Sequence, residues 1–247
     1  MTIPTPINLI RSTLALVALL ATTPVFAQLN YTFDANAEGW LAGSRPNGSG
    51  NPSTPPLSPL TPNGNVTFSY VAAGGNPGGH VRVADTGGGD AILYRNFAGG
   101  TNLSSLLNAT FRFDARLFSG TTSNYGPFGR VRFYTSDGAL PNSSTDDQGA
   151  AFDIAPGTTS PLSTSWSTYS AVVSNANFTV FSPSPLTLTQ VLSNVIRIEI
   201  TTESIQGFDE TVGVDNIRFA AVPEPATIAL LGMGIVGIIT LRRRRRA

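Results

Sequence analysis

The chain has 247 residues, no cysteine, one histidine and a formal net charge of zero. The absence of cysteine excludes disulfides, thiolate nucleophiles and cysteine-based zinc sites. Residues 28–221 contain nine arginines and 14 acidic residues, a net charge of −5. This balance lacks the clustered positive charge that binds phosphate backbones, so we expect no nucleic-acid partner.

The N-terminal residues have the composition of a secretory signal peptide. Arg11 precedes the apolar run 14–21, and small residues then lead to Gln28. A charged start, a short apolar run and small residues before a polar one predict a signal peptide over residues 1–27, cleaved between Ala27 and Gln28. The alternative is a retained membrane anchor, which is disfavoured because the apolar run is too short to span a bilayer comfortably.

Short runs of alternating apolar and polar residues fill the segment that follows. The period of two is typical of half-buried strands. It predicts strands at residues 66–71, 80–84, 91–97, 110–118, 130–135, 151–154, 167–173, 195–200 and 212–220. In the run 195–200 the alternation places Ile196, Ile198 and Ile200 on the inner face. Residues 187–193 are predicted to form a short helix, and the Pro- and Gly-rich stretch 41–65 to form a long loop.

Many short strands with little helix predict an all-β fold. Each strand has one apolar face, and two sheets packed against each other bury all of these faces together. We therefore expect residues 28–221 to form an antiparallel two-sheet β-sandwich, a jelly roll.

The C-terminal residues 222–247 contain an apolar run followed by a basic cluster. The run covers residues 226–241, and as a helix it would be about 24 Å long, slightly less than a hydrocarbon core. It would span the membrane if the bilayer thins or the flanking residues snorkel. The cluster that follows would act as a stop-transfer signal on the cytoplasmic side. It consists of Arg242, Arg243, Arg244, Arg245 and Arg246.

Three residues before this run make the C-terminus more specific. Pro223, Glu224 and Pro225, followed by an apolar helix and terminal arginines, resemble the PEP-CTERM sorting signal of Gram-negative bacteria. The resemblance implies a partner, exosortase, a membrane-embedded protease that removes the tail. It also implies that the protein is anchored in the inner membrane until processing, and is then at the cell surface or outside the cell. The alternative is an ordinary one-pass anchor.

Four stretches of the middle segment carry a second resemblance. Residues 33–40 (FDANAEGW), 74–83 (GGNPGGHVRV), 191–200 (VLSNVIRIEI) and 212–219 (VGVDNIRF) resemble the laminin B (laminin IV) domain. The first and last stretches also recur in carbohydrate-binding jelly rolls. The resemblance implies a non-catalytic extracellular module.

Two aspartates are candidates for a structural calcium site. A jelly roll often brings its first and last strands together, which would place Asp34 near Asp215. Calcium takes six to eight oxygen ligands, and Glu38 or backbone carbonyls of residues 74–79 could complete the set. The alternative is that both aspartates only make local hydrogen bonds.

A glycan ligand would require exposed aromatic side chains, and the sequence offers several. The candidates are Trp40, Trp166, Tyr125, Tyr134 and Tyr169, with core or edge packing as the alternative for the two tryptophans. Arginines on the predicted solvent side of neighbouring strands would suit an anionic polysaccharide, or would pair with Asp114 and Glu199 across strands. These are Arg112, Arg116, Arg130 and Arg132.

Enzymatic activity has weaker support in the sequence. There is no G-x-S-x-G motif, and His80 lies in a glycine-rich turn. A glycosidase would need two carboxylates about 5–10 Å apart. The candidates are Glu38, Glu199, Glu203, Asp209 and Glu210. We expect an exported non-enzymatic surface or matrix protein, associated with extracellular polysaccharide or biofilm. The alternatives are a secreted glycan-acting enzyme and a membrane-anchored periplasmic protein.

Overall fold

A computed structural model describes residues 29–45, 60–62, 64–121, 128–135, 148–153, 162–181, 186–205 and 207–220. Several predicted features lie outside these residues: the signal peptide with its cleavage site at Ala27 and Gln28, residues 223–225, the apolar run 226–241 and the arginines 242–246. Among the described helices, none has the length and apolar character needed to cross a membrane.

The described residues form 13 strands, one α-helix and one turn of 3₁₀ helix. The strands are β1 (Asn30–Tyr31), β2 (Trp40–Arg45), β3 (Thr61–Pro62), β4 (Val66–Val71), β5 (His80–Asp85), β6 (Asp90–Thr101), β7 (Thr110–Ser119), β8 (Arg130–Thr135), β9 (Gln148–Asp153), β10 (Ser167–Val172), β11 (Thr179–Val180), β12 (Val195–Thr201) and β13 (Glu210–Ala220). The 3₁₀ turn is Ser104–Leu106, and α1 is Leu188–Ser193.

The strands form two antiparallel sheets. Sheet A has the order β10-β7-β13-β5-β4, with β1 paired to β13. Sheet B has the order β11-β9-β8-β12-β6-β2-β3. The two sheets pack face to face, so the prediction of an antiparallel two-sheet β-sandwich is confirmed.

The core lies between the sheets and is rich in phenylalanine. Phe219 of sheet A has its ring centre 6.0 Å from that of Phe133 in sheet B and 4.8 Å from that of Phe111 in its own sheet. All three side chains are essentially inaccessible to solvent. Because these rings come from the alternate positions of their strands, the intervening residues necessarily face outward.

Two local predictions were wrong. Residues 41–45, predicted to begin a long loop, belong to β2, because Trp40 packs in the core and the strand pairs with β6. The small residues Ala42 and Gly43 hide this pattern in the sequence. Ile196 was predicted to face inward, yet it packs outside the main core with Tyr134. A bulge between Val195 and Arg197 shifts the register there. The alternation of inward-facing and outward-facing side chains is therefore interrupted at Ile196 and resumes after it.

Candidate functional site

Asp34 and Asp215 lie against the same tight turn. The N–H of Gly75 donates to the carbonyl oxygen of Gly78 at 2.8 Å, which closes the turn. Oδ2 of Asp215 accepts the N–H of Asn76 at 2.6 Å and lies 2.7 Å from where a Cβ on Gly75 would be. A Cβ on Gly78 would overlap Oδ1 of Asp34. Glycine at both positions therefore lets both carboxylates approach the turn.

Asp114 lies beside Asp215 and is held by a second group of polar residues. Asp114 on β7 is in register with Asp215, and its Oδ2 accepts from Nδ2 of Asn216 at 2.8 Å. Nδ2 of Asn216 also donates to the carbonyl oxygen of Asn76. The hydroxyl of Thr168 donates to Oδ1 of Asp114 at 2.6 Å. The two adjacent carboxylates are thus bridged by donors instead of facing each other directly.

The electrostatics of this turn favour a positive charge. Burial raises the pKa of Asp215 to about 6, with Asp114 and Asp34 adding to the effect against hydrogen bonds from Asn76 and Asn216. Glu38 is coupled electrostatically to Asp34 and to Arg95, and burial raises its pKa. Across the residues that the structure describes, no three His, Asp or Glu side chains are arranged to hold a metal ion. Two carboxylates are therefore the side-chain ligands on offer, and calcium binding there stays a prediction.

The outer face of sheet A carries half-buried arginine and aromatic side chains. We call it the arginine–aromatic face, and it consists of Arg82, Arg112, Arg116, Phe118, Trp166 and Arg218. Arg82 on β5 and Arg116 on β7 are both in register with Gly213 on the central strand. The ring of Phe118 lies over Gly213, where a Cβ would overlap it. Cζ of Arg82 and of Arg116 lie 3.9 Å and 4.6 Å from the centre of that ring, within the range of cation–π contacts.

His80 lies beneath this face and is fully buried. Its ring stacks on Phe118 with centroids 5.1 Å apart and meets Trp166 edge-on at 5.4 Å. Its Nε2 accepts from Nε of Arg82 at 3.0 Å. Burial, together with the charges of Arg82 and Arg116, lowers the pKa of His80 to about 4. The imidazole is therefore neutral at pH 7, and its acceptor nitrogen is already engaged.

The outer face of sheet B carries a buried charged network centred on Glu199. Its Oε1 lies 2.7 Å from Nη2 of Arg45 and 2.8 Å from Nε of Arg197. Its Oε2 accepts from the hydroxyl of Tyr134 at 3.1 Å. Burial alone would raise the pKa of Glu199, but Arg45, Arg197 and Arg132 outweigh burial and hold it at about 2. Glu199 is thus charged at neutral pH and held in ion pairs with Arg45 and Arg197.

A third set of carboxyl groups is buried with little charge compensation. Glu210 is in register with Asp85, and its Oε1 accepts the N–H of Ser204 at 2.7 Å. Glu203 accepts the N–H of Ala91 at 3.1 Å. Burial raises the pKa of Glu203 to about 9 and that of Glu210 to about 7. Glu203 is therefore protonated at neutral pH and can donate to Asp85.

The other candidates from the sequence have varied positions. Trp40, Tyr134 and Tyr169 are buried, Trp166 is half-buried, and Tyr125 lies outside the described residues. Arg132 is buried on sheet B and donates to the hydroxyl of Thr201 at 3.3 Å. The sequence missed Arg45 as a partner of Glu199, because Arg45 lies in the stretch that was predicted to be a loop.

Comparison with known families identifies the C-terminal segment. Residues 221–246 match the PEP-CTERM protein-sorting motif, which confirms the sorting signal predicted from Pro223, Glu224 and Pro225. The motif indicates an exported protein that is anchored in the membrane before processing. No curated protein sequence matches the chain.

Several solved structures resemble the described fold. A family 11 carbohydrate-binding module of Clostridium thermocellum is 14% identical, with a TM-score of 0.46, over 79% of this chain and 95% of that one. The L4b domain of human laminin alpha-2 is 7% identical, with a TM-score of 0.47, over 81% and 99%. A family 30 carbohydrate-binding module is 14% identical, with a TM-score of 0.44, over 78% and 99%. A laminin domain is thus among the structures whose fold this chain resembles.

Proposed function

We propose that this protein is an exported, non-enzymatic module that exosortase processes and that then binds extracellular polysaccharide at the cell surface or in a biofilm matrix. The observation that carries the proposal is the position of the sorting motif. Strand β13 ends at Ala220, and the motif begins at the next residue. By the positive-inside rule the terminal arginines stay in the cytoplasm, so the β-sandwich lies on the exported side.

The geometry of three candidate catalytic groups supports a non-enzymatic role. The imidazole of His80 is stacked, buried and already accepts from Arg82. Glu199 is held between Arg45 and Arg197, and Glu203 is fully buried. A general acid or base must contact the atom to which it transfers a proton, and none of these three groups is placed to do so.

Binding of polysaccharide is supported by the arginine–aromatic face. Trp166 and Phe118 are half-buried on this face, and the indole N–H of Trp166 donates to the carbonyl oxygen of Gly74 at 3.1 Å. The indole is therefore fixed in orientation before any ligand arrives, which reduces the entropic cost of binding.

We also propose that a calcium ion stabilises the turn between Asp34 and Asp215. Two carboxylates approach one glycine turn whose lack of Cβ atoms leaves room beside it. Backbone carbonyls of the turn and water would supply the remaining oxygen ligands. The ion would link the first strands to β13 in a chain that has no disulfide.

The intact mass of the protein recovered from its native host tests the sorting step. A mass that begins at Gln28 and ends near Pro223–Pro225, found at the surface or in the medium, would support signal peptidase and exosortase processing. A mass that runs through Ala247, found in the membrane fraction, would identify an ordinary anchor and contradict the proposal. Release of reducing sugars from host polysaccharide would instead indicate a glycan-acting enzyme.

A further inference from the structure

The arginines of sheet A lack the acidic partners that surround those of sheet B. In the described part of the chain Arg45 and Arg197 of sheet B pair with Glu199, whereas no ion pair between described residues includes an arginine of the arginine–aromatic face. The same part of the chain offers no hydrogen-bond acceptor to the buried Nε atoms of Arg112, Arg116 and Arg218, which is also true of Nε of Arg95. These cations are therefore held in place by packing, without an ion pair to another described residue.

The acids nearest to these arginines are directed elsewhere. Asp114 lies between Arg112 and Arg116 along β7, yet its oxygens accept from Thr168, Asn76 and Asn216. Both oxygens of Asp215 accept backbone N–H groups. Donors from Asn76, Asn216 and Thr168 thus occupy the two carboxylates, neither of which forms an ion pair with Arg112 or Arg116.

The arrangement of the arginines is costly to the fold by itself. Arg112 on β7 and Arg218 on β13 are directly opposite each other in register. Like charges in this position destabilise a sheet. Arg82 and Arg116 flank Gly213 on either side, and their guanidinium groups lie against one ring. An anionic ligand would offset both like-charge arrangements.

The spacing of the charges fits a polymer. Cζ of Arg82 and Cζ of Arg116 lie 3.9 Å and 4.6 Å from the centre of the same ring, so these two charges are at most 8.5 Å apart. Arg112 and Arg116 are four residues apart along one strand, about 13.6 Å between their Cα atoms. A single small anion cannot contact all of these groups. Guanidinium groups bind carboxylates through paired N–H donors, so repeated carboxylates along a chain would match the array.

We propose that the arginine–aromatic face binds an anionic polysaccharide, and that Arg82, Arg112, Arg116 and Arg218 recognise its carboxylate groups. This inference rests on the proposed function and names its substrate class. Nucleic acid fits less well, because duplex DNA carries one charge per about 1.7 Å. Phosphates spaced so closely would also lie against Asp114 and Asp215, whose negative charges repel them. These two carboxylates lie between the Arg112–Arg218 pair and the Arg82–Arg116 pair. A polysaccharide with sparser charge can place neutral sugar groups there.

The test compares polygalacturonate with its fully methyl-esterified form, which has the same backbone without the charge. The full chain in mild detergent is used, with Arg242–Arg246 replaced by glutamine in every sample so that the tail adds no affinity for polyanions. The double variant Arg112→Gln and Arg116→Gln is expected to bind polygalacturonate at least about tenfold more weakly. Arg95→Gln is the control for the loss of an arginine elsewhere, because Arg95 lies off this face, against Tyr31. It is expected to bind like the parent chain.

The outcomes separate this inference from the proposed function. Selective binding of polygalacturonate that weakens in the double variant and with added salt supports it. Equal binding of both forms, or unchanged binding by the double variant, overturns it and leaves glycan binding intact. Binding to neither form nor to any host polysaccharide contradicts the proposed function itself. Preferential binding of single-stranded DNA overturns the polysaccharide assignment.

A second variant is used if the glutamine variant fails to fold. Arg112→Lys with Arg116→Lys keeps both positive charges but removes the paired N–H donors of the guanidinium groups. We expect this variant to bind polygalacturonate with an affinity between those of the parent chain and the glutamine variant.

Discussion

Arg45 and Glu199 form an ion pair that crosses an intervening strand. Arg45 ends β2 and Glu199 lies in β12, with β6 between the two strands. The side chains nevertheless meet at 2.7 Å, and both are buried. Glu199 thereby interacts with three arginines on this face, Arg45, Arg197 and Arg132. Its charge therefore offsets part of the positive charge of these arginines.

We expect Glu199→Gln to destabilise the protein by about 3–5 kcal/mol, because it removes the charged member of a buried ion pair. The change keeps the shape of the side chain and an acceptor for Tyr134. Urea denaturation at pH 7 measures the loss. The control is Ser170→Ala on the exposed side of β10, for which we expect a change within about 0.5 kcal/mol. A loss of less than about 1 kcal/mol for Glu199→Gln would contradict the assigned role.

The same variant should also lose a pH dependence. The folded pKa of Glu199 lies at about 2, below its ordinary value of 4.5. Its stabilisation is therefore fully present above about pH 4.5 and is lost as the pH falls towards 2. The parent protein should weaken across this window more steeply than Glu199→Gln does. Parallel stability curves for the two proteins would show that Glu199 titrates normally.

Glu203→Gln should stabilise the protein at alkaline pH. The folded pKa of Glu203 is about 9, above its ordinary value of 4.5, so the fold holds a proton that the unfolded chain releases. Stability is therefore lost as the pH rises from about 4.5 through 9. Glutamine keeps an acceptor for Ala91 and an N–H that can donate to Asp85, without titrating. Thermal melts between pH 5 and 9 should show a flatter profile for the variant.

A neighbouring acid provides the control for this prediction. Asp209 is exposed and adjacent to Glu210, and Asp209→Asn removes a charge without entering the buried set. We expect it to shift stability by less than about 0.5 kcal/mol. If Glu203→Gln instead destabilises the protein at every pH, the carboxyl group is charged in the fold and the shared proton is absent.

The sequence predicted the strands well where alternation was strong. In β7 every second residue from Phe111 to Leu117 is apolar, and this pattern is visible without any knowledge of the fold. β2 was missed, because Ala42, Gly43 and Ser44 give no contrast between faces and burial is decided by the partner strand. The short helix predicted over residues 187–193 corresponds to α1, which begins one residue later because Thr187 is its N-cap. The hydroxyl of Thr187 caps the helix in a capping box with Gln190.

The candidate sites differ in the same way. Some contacts follow from the fold class and were predictable, whereas others depend on the order of strands in a sheet and were not. Asp34 and Asp215 were predicted to meet, because a sandwich brings its first and last strands together. The network around Glu199 was not predictable, since Arg45 and Glu199 are 154 residues apart and their contact depends on sheet order. The stack of His80 on Phe118 likewise depends on Gly213, a strand residue with no side chain of its own.

Calcium should raise the melting temperature of the protein. An ion that binds only the folded state stabilises it by about 2.7 kcal/mol at a concentration 100 times the dissociation constant. We expect millimolar calcium to raise the melting temperature and a chelator to reverse the effect, whereas Asp34→Asn and Asp215→Asn abolish it. Asp209→Asn, an acid away from the turn, should keep the full response. An identical melting temperature with calcium and with chelator would count against the site.

The packing of Phe118 over Gly213 is testable through a pair of substitutions. A Cβ on Gly213 would overlap Cε2 of Phe118 and lie 3.1 Å from Cη2 of Trp166. Gly213 is not in the left-handed region, so the cost of Gly213→Ala is steric rather than conformational. We expect a loss of about 1–3 kcal/mol from overpacking. In the Phe118→Leu background the smaller side chain leaves room, so the same change should cost less.

The interaction energy between Gly213 and Phe118 is the quantity to measure in this double-mutant cycle. Residues in direct contact show interaction energies of about 0.5–3 kcal/mol in a double-mutant cycle, whereas independent sites add. Because Arg82 and Arg116 lie against the ring of Phe118, Gly213→Ala should also weaken polygalacturonate binding. Additive free energies of unfolding would show that Phe118 does not lie over Gly213. The two arginines would then not be oriented by its ring, and the spacing inferred for the arginine–aromatic face would lose its physical basis.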